Sequence, residues 1–173
     1  IGPNSAGVLA PGRCLLGALH PRKFTQGNVA IVSRSGGMMS TLAHCLTNAG
    51  FGQSTCVGIG GDSVIGLDMP AAMKLAQDDP DTDAIVVFGE IGTTQEERTA
   101  ALIADGTLKK PIVFYIAGQA APSGIRYSHA GAQSEGEFGT AAAKMAALSE
   151  AGARVAARYT DVAGMVGEAL GRP

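Results

Sequence analysis

Short apolar runs that alternate with helical patterns constrain the fold of this chain more than any other feature of its sequence. Runs that are apolar on every residue are typical of strands buried on both faces of a parallel sheet. Since a helical segment separates each run from the next, we predict an α/β fold with a flavodoxin-like parallel five-stranded sheet, order 2-1-3-4-5, and helices on both faces. The predicted strands cover residues 29–32, 53–59, 84–88, 111–116 and 154–156.

The N-terminal segment has a different composition from the rest of the chain. Residues 1–27 are rich in glycine and proline, which interrupt regular elements, so we predict a linker there and one domain over residues 28–173. Within the linker, Asn4 and Ser5 lie between a proline and a glycine, where a tight turn is expected.

Composition and charge exclude several classes of function. With a net charge of −2 and no long apolar run, the sequence offers no electrostatic basis for binding nucleic acid and no segment that would span a membrane. The three cysteines form no C-x-x-C pair, so we expect reduced thiols and a cytoplasmic protein. The sequence contains neither a P-loop nor a complete G-x-G-x-x-G motif, and we assign no metal ligand.

A turn rich in serine and glycine follows the first predicted strand and precedes a predicted helix. Backbone N–H groups at a helix N-terminus attract anions, so this turn is a candidate phosphate site. Serine also caps helices for purely structural reasons, and the turn alone does not decide between the two interpretations. The candidate phosphate-binding residues are Ser33, Ser35, Gly36 and Gly37.

A loop of small and polar residues, 118–139, carries a single imidazole. Loops of this length are usually functional or disordered. We interpret His129 as a nucleophile that accepts a phosphoryl group and passes it on; the alternative is a hydrogen-bonded surface histidine. A helix is predicted over residues 138–151. Its inward-facing residues are expected to be Phe138, Ala141, Ala142, Met145 and Leu148.

Glu90 comes shortly after the apolar run at residues 84–88, at the carboxyl end of the predicted sheet. Ligands of open α/β sheets bind at that edge. The Glu90 carboxylate could accept the Nδ1–H of an imidazole and leave Nε2 as the nucleophile, whereas a capping or solvated glutamate is the alternative. We expect the His129 loop, Glu90 and the serine-glycine turn to lie at one edge of the sheet.

Six short sequence motifs follow one another along the chain. They are Gly2-Pro3-Asn4, Ser33-Arg34-Ser35-Gly36, Gly58-Ile59-Gly60-Gly61-Asp62, Gly89-Glu90-Ile91-Gly92, Lys110-Pro111 and His129-Ala130-Gly131-Ala132. In this order and at this spacing, the sequence resembles the alpha subunit of succinyl-CoA synthetase and its relatives, malate–CoA ligase and the matching part of ATP-citrate lyase. The resemblance covers nearly the whole chain.

The resemblance implies the C-terminal ligase domain of an acid–CoA ligase. His129 would be phosphorylated during turnover, Glu90 would be its hydrogen-bonded partner, and the helix after Ser35 would stabilise the phosphohistidine. Phosphate would pass from ATP or GTP to His129 and then to a small carboxylic acid, and the thiol of coenzyme A would displace it from the acyl phosphate. The nucleotide and its Mg would bind an ATP-grasp beta subunit, so the resemblance implies a hetero-oligomer. We expect it in the cytoplasm of a bacterium.

The resemblance also bears on substrate and domain organisation. Residues 1–27 would lead in from an N-terminal CoA-binding domain that this chain lacks, so we expect no ligase activity from the isolated chain. Asn4, Ser5 and Ser40 would contact the carboxylate substrate. Ser40 takes the place of a substrate-contacting tyrosine of the succinate enzymes, and the preceding Gly37-Met38 pair looks more like the citrate lyase version. Alternatives are a non-catalytic flavodoxin-like module that regulates a partner or binds acyl-CoA, and an FMN-binding flavodoxin.

Overall fold

The computed structural model describes residues 1–121, 129–133 and 139–172. A seven-stranded mixed sheet organises them. Its strands are β1 (Gly7–Ala10), β2 (Cys14–Gly17), β3 (Gln26–Ser33), β4 (Gln53–Gly58), β5 (Ala84–Glu90), β6 (Ile112–Ala117) and β7 (Arg154–Ala156). The helices are α1 (Gly36–Asn48), α2 (Met69–Asp78), α3 (Gln95–Ala104), α4 (Ala141–Glu150) and α5 (Val162–Ala169), with short 3-10 turns at Pro21–Lys23 and Tyr159–Asp161.

The five strands expected from the apolar runs form the parallel part of the sheet. They lie side by side in the order β4-β3-β5-β6-β7, and all four neighbouring pairs are parallel. If β3 is numbered strand 1 and the later strands are numbered in chain order, this is the predicted order 2-1-3-4-5. The prediction of a purely parallel, five-stranded sheet is nevertheless wrong, because two further strands extend it beyond β4.

Those two strands come from the segment that was predicted to be a linker. β1 and β2 form an antiparallel hairpin, and β1 also pairs antiparallel with β4. Pro11 and Gly12 make the turn: Gly12 has a φ of +76°, and the Arg13 N–H donates to the Ala10 carbonyl at 2.9 Å. β3 begins at Gln26, two residues before the predicted domain boundary at residue 28.

Helices cover both faces of the sheet, as predicted. On one face, apolar residues of α1 and α5, such as Leu42 and Val166, pack with Val86 of β5. On the other face, residues of α2, α3 and α4, such as Met73 and Leu148, pack in a second buried cluster. The apolar runs are therefore buried from both sides, which explains why they lack the alternation of a half-exposed strand.

Helix α4 differs from its prediction. The expected start at Phe138 lies outside the described residues, and α4 begins at Ala141 after Thr140, whose hydroxyl accepts the Ala143 N–H at 3.2 Å. Its buried residues are Ala141, Lys144 and Leu148, whereas Ala142 is exposed. The buried face is therefore rotated from the predicted one, because a lysine takes an inward position.

The parallel strands bring their carboxyl ends to one edge of the sheet. In the register of the sheet, Ser33 at the end of β3 pairs with Gly58 of β4 and with Phe88 of β5, two residues before Glu90. Residues that follow β3, β4 and β5 therefore meet in one place. No helix among the described residues is both long enough and apolar enough to cross a membrane.

Candidate active site

The imidazole of His129 rests against the carboxylate of Glu90. Its Nδ1 lies 2.9 Å from Oε1 and 2.8 Å from Oε2 of Glu90. Glu90 is the last residue of β5 and its side chain is only 9% exposed, while the His129 side chain is 27% exposed. Because an ionised carboxylate can only accept hydrogen bonds, Nδ1 is the nitrogen that donates, and in a neutral ring Nε2 keeps its lone pair.

Two glycines form a close-fitting cradle for the segment that carries His129. A Cβ on Gly61 would overlap Cγ and Nδ1 of the imidazole and would lie 2.9 Å from the His129 Cβ. Gly92 has a φ of +80°, and a Cβ there would overlap the Gly131 carbonyl oxygen. Gly131 in turn donates its N–H to the Gly61 carbonyl at 3.0 Å. Side chains at either glycine would displace the loop, so these positions fix where the imidazole sits.

Arg34 lies behind the carboxylate and is fully buried. Its Nη1 donates to the carbonyl oxygens of Glu90 at 3.0 Å and Gly92 at 3.2 Å, and to Oε1 of Glu96 at 3.0 Å. Its Nε is 3.3 Å from Oε1 of Glu90, an ion-pair contact without the alignment of a hydrogen bond. One guanidinium thus contacts both the main chain and the side chain of Glu90.

The charged cluster continues through Glu96 and Lys144, whose side chains are both buried. Glu96 accepts the Glu90 N–H at 3.1 Å and Lys144 Nζ at 2.7 Å. Lys144 also donates to Glu97 at 2.7 Å and to the Thr93 carbonyl at 3.1 Å. Buried charges are tolerated when each is paired and hydrogen-bonded, and here two cations face three carboxylates, counting Glu90.

Sequence reasoning missed this charged cluster, although it left signals. Arg34 comes directly after an apolar strand and lies in the motif Ser33-Arg34-Ser35-Gly36. Lys144 is three residues after Ala141 and four before Leu148, in line with the buried stripe of α4. A charged residue at an inward helix position indicates a buried partner. Glu96 had no comparable signal, because a glutamate in the first turn of a helix is ordinary on electrostatic grounds.

The serine-glycine turn has the geometry of a helix N-terminus. The Ser33 hydroxyl donates to the Ser35 carbonyl at 2.7 Å and accepts the Ser35 N–H at 3.1 Å. Ser35 is the N-cap of α1, and its hydroxyl accepts the Met38 N–H at 3.4 Å. Both hydroxyls therefore serve the turn itself. The first N–H groups of a helix lack intrahelical partners, so Gly36 and Gly37 remain the candidate anion donors here.

One residue of the turn, Arg34, reaches the loop that carries His129 with its side chain. A Cβ on Gly131 would be 3.2 Å from Nη2 of Arg34, which sits between Ser33 and Ser35. Glu90 and the serine-glycine turn therefore follow neighbouring strands at one edge of the sheet, His129 contacts Glu90 there, and the Arg34 side chain connects the turn to the loop. Whether the turn binds phosphate stays a prediction.

The three candidate substrate residues have different neighbours in the structure. Asn4 donates to Asp62 at 3.3 Å and so lies beside the Gly61 cradle. Ser5 accepts the Gly7 N–H at 3.0 Å, a local turn contact, and donates to the Gly58 carbonyl at the end of β4. Ser40 donates to the Gly36 carbonyl at 3.3 Å, one helical turn back. Contact between these three residues and a substrate remains a prediction.

A polar pocket of about 490 Å³ opens beside the site. It is lined in part by Asp62, next to Gly61, and by Asp68 and Arg98, which form an ion pair at 2.8 Å. In the described ranges, no group of three or more His, Cys, Asp or Glu side chains is placed to hold a metal ion.

An α/β domain that presents a histidine on a buried carboxylate at the carboxyl edge of its sheet is a candidate group-transfer domain. Residues 32–154 match the CoA-ligase family, and the chain belongs to that family. The resemblance seen in the sequence is thereby confirmed.

Relatives and solved structures agree with this assignment. The chain is 51% identical, over 94% of its length, to the alpha 1 subunit of an ADP-forming succinate–CoA ligase from Archaeoglobus fulgidus, and 48% identical, over 90%, to the alpha subunit from Aquifex aeolicus. It covers 55% and 50% of those relatives, so it spans about half their length. ATP citrate lyase from Methanosaeta concilii, solved with (3S)-citryl-CoA, superposes with a TM-score of 0.89 at 28% identity, covering 98% of this chain and 29% of the lyase chain.

Proposed function

We propose that this chain carries the phosphohistidine of a nucleotide-dependent acid–CoA ligase, with His129 as the phosphorylated residue. The observation that supports this most directly is the Glu90 carboxylate at 2.8 and 2.9 Å from Nδ1 of His129. This contact orients the ring and leaves Nε2 as the nucleophilic nitrogen. A nucleophile oriented by a second group in this way is a recurrent arrangement in covalent catalysis.

The proposed reaction transfers phosphate in two steps before the thioester forms. The Nε2 lone pair of His129 attacks the γ-phosphorus of a nucleoside triphosphate, the bond to the β-phosphate oxygen breaks, and the nucleoside diphosphate leaves. A carboxylate oxygen of the acid then attacks the phosphorus, the P–N bond breaks, and an acyl phosphate forms. Finally, inorganic phosphate is displaced from the acyl carbon by the thiol of coenzyme A, whose proton passes to solvent.

Two features of this chain would stabilise a phosphorylated His129. A phosphoryl group carries about −1.5 to −2 charges at neutral pH, judged from other phosphorylated side chains. The N-terminus of α1, with its partial positive charge and the N–H groups of Gly36 and Gly37, is the proposed site of stabilisation. Glu90 would hold the positively charged ring of the phosphohistidine through Nδ1, on the side away from the phosphate.

The nucleotide and its Mg are assigned to a partner. This sequence has no P-loop, and the relatives are alpha subunits, which supports a hetero-oligomer with an ATP-grasp beta subunit. The relatives are ADP-forming, which favours ATP as the donor. Their substrate is succinate, whereas the structural neighbour holds citryl-CoA, so succinate and citrate are the first acids to test, with Asn4, Ser5 and Ser40 as candidate contacts.

Labelling with γ-³²P-ATP tests the proposal. The protein is incubated with its beta partner, and acid-labile, base-stable label is expected on the wild type and absent from His129→Ala. His44→Ala is the matched control, because His44 is exposed on α1 and, among the described residues, its ring forms a hydrogen bond only with Asn48. Label that persists in His129→Ala would remove His129 from the mechanism. A thioester screen with succinate, malate and citrate then identifies the acid.

A further inference from the structure

We propose that Arg34 is a positioning residue, which holds the Glu90 carboxylate against Nδ1 of His129 and thereby sets the tautomer of the imidazole. Its effect on phosphoryl transfer rests on the function proposed above, whereas its effect on the tautomer does not. The proposal follows from three features of the cluster around Glu90.

The first feature is the burial of the Glu90 carboxylate. A carboxylate in a buried place is costly unless a cation compensates it. His129 supplies one N–H, from a side chain that is partly exposed. Among the described residues, the cation within ion-pair distance behind the carboxylate is Arg34, whose Nε lies 3.3 Å from Oε1 and whose side chain is fully buried.

The second feature is the direction of that contact. Nε attracts the carboxylate but forms no hydrogen bond with it. Both oxygens of Glu90 consequently remain close to Nδ1, at 2.8 and 2.9 Å. Arg34 therefore attracts the carboxylate without drawing its oxygens away from the imidazole.

The third feature is how firmly Arg34 and Glu90 are tied together. Nη1 bonds to the Glu90 carbonyl and to Glu96, and Glu96 also accepts the Glu90 N–H. The N–H, the carbonyl and the side chain of Glu90 thus all contact the same charged cluster. Lys144 holds Glu96 from the other side at 2.7 Å. A displaced Arg34 would move Glu90 with it.

The consequence for His129 concerns which ring nitrogen carries the proton. In a neutral imidazole, the hydrogen bond at one nitrogen decides whether the other has a free lone pair. With Glu90 fixed, the proton stays on Nδ1 and Nε2 is available to attack phosphorus. If Glu90 turned away, the ring would populate both tautomers, and the Nε2–H form cannot act as the nucleophile through Nε2.

The test uses ¹⁵N NMR of histidine side chains on the whole 173-residue chain, at a pH where the imidazole is neutral. The wild type is expected to show the Nδ1–H tautomer at His129. Arg34→Gln leaves the Glu90 carboxylate without its cation and leaves Glu96 with Lys144 alone, so it carries a risk of misfolding. Arg34→Lys keeps the positive charge, but one ammonium cannot span Glu90 and Glu96 as the guanidinium does.

We expect Arg34→Lys to fold and to show a mixture of tautomers at His129. With the beta partner, it should phosphorylate His129 about 10- to 100-fold more slowly, by analogy with the loss when a residue that orients a metal-binding histidine is replaced. Arg154→Lys is the matched control, since Arg154 pairs with Glu168 at 3.2 Å on the surface, and it should leave both readouts unchanged.

A wild-type tautomer and rate in Arg34→Lys, with only a lower melting temperature, would overturn the proposal and leave Arg34 a structural role. Failure of the proposed function looks different, because label would then persist in His129→Ala while the tautomer of Arg34→Lys could still shift.

Discussion

Substitution of Gly61 by alanine tests the cradle around the imidazole. The added methyl would overlap Cγ and Nδ1 of His129 and lie 2.9 Å from its Cβ. Since Gly61 does not have a positive φ, alanine should fit its backbone conformation, and the perturbation is purely steric. Non-bonded carbon and nitrogen atoms rest at about 3.5 Å or more, so the ring must retreat by about 1 Å.

That displacement is large compared with the tolerance of the hydrogen bond to Glu90. The Nδ1–Oε2 distance of 2.8 Å would lengthen to nearly 4 Å if the ring moved along the bond, and at that length the bond is lost. A hydrogen bond to a charged group contributes about 1.5–3 kcal/mol. If all of it serves phosphoryl transfer, the rate of His129 phosphorylation falls by about 10- to 150-fold.

The assay measures initial rates of label transfer from γ-³²P-ATP with the beta partner, together with the ¹⁵N signals of His129. Gly164→Ala is the control, because Gly164 lies in α5 with nothing within 4 Å of an added Cβ. It should keep the wild-type rate and gain up to about 1 kcal/mol of stability, the usual effect of replacing a helical glycine. A Gly61→Ala protein with the wild-type rate and an intact Nδ1–H bond would refute the steric argument.

Three further predictions concern stability and reactivity. Thr93 has a φ of +54°, costly for a β-branched residue, so Thr93→Gly should raise the melting temperature by about 2–4 °C; a decrease would contradict this. Cys14 is exposed, whereas burial raises the pKa of the Cys56 thiol, so a thiol reagent should modify Cys14 in the native protein and Cys56 only after unfolding. A hydrogen bond from Thr82 lowers the pKa of Asp79 in the folded protein. The ionised Asp79 carboxylate therefore stabilises the fold above its unfolded pKa of about 3.9, and this contribution is lost as the pH falls through the lower folded pKa. In urea unfolding, the difference in midpoint between wild type and Asp79→Asn should shrink from pH 6 to pH 2.

The parallel part of the sheet was predictable because its signal is local. Each buried strand is a continuous apolar run, and the helix after it places the next strand parallel to it. The hairpin was not predicted, since β1 and β2 have four residues each and join through Pro11 and Gly12, which also mark loops. The hairpin's place in the sheet depends on pairing with β4, a long-range contact that composition does not report.

The candidate site shows the same division. The approach of Glu90 to His129 could be predicted, because a residue at the end of a parallel strand must lie at the ligand-binding edge. The buried cluster of Arg34, Glu96 and Lys144 could not be predicted in the same way, since a single sequence shows charged residues without showing which of them face inward. Local patterns therefore place Glu90 and His129, and three-dimensional packing supplies the groups that hold Glu90.

The surroundings of His129 come from segments that are far apart in the chain: Arg34 follows β3, Gly61 follows β4 and Glu90 ends β5. A synthetic peptide that spans His129 would therefore lack every one of these neighbours. Grafting the loop onto an unrelated scaffold should transfer its amino acids but not their reactivity. Engineering efforts would need to transplant the carboxyl-terminal rim of three adjacent strands together with the loop.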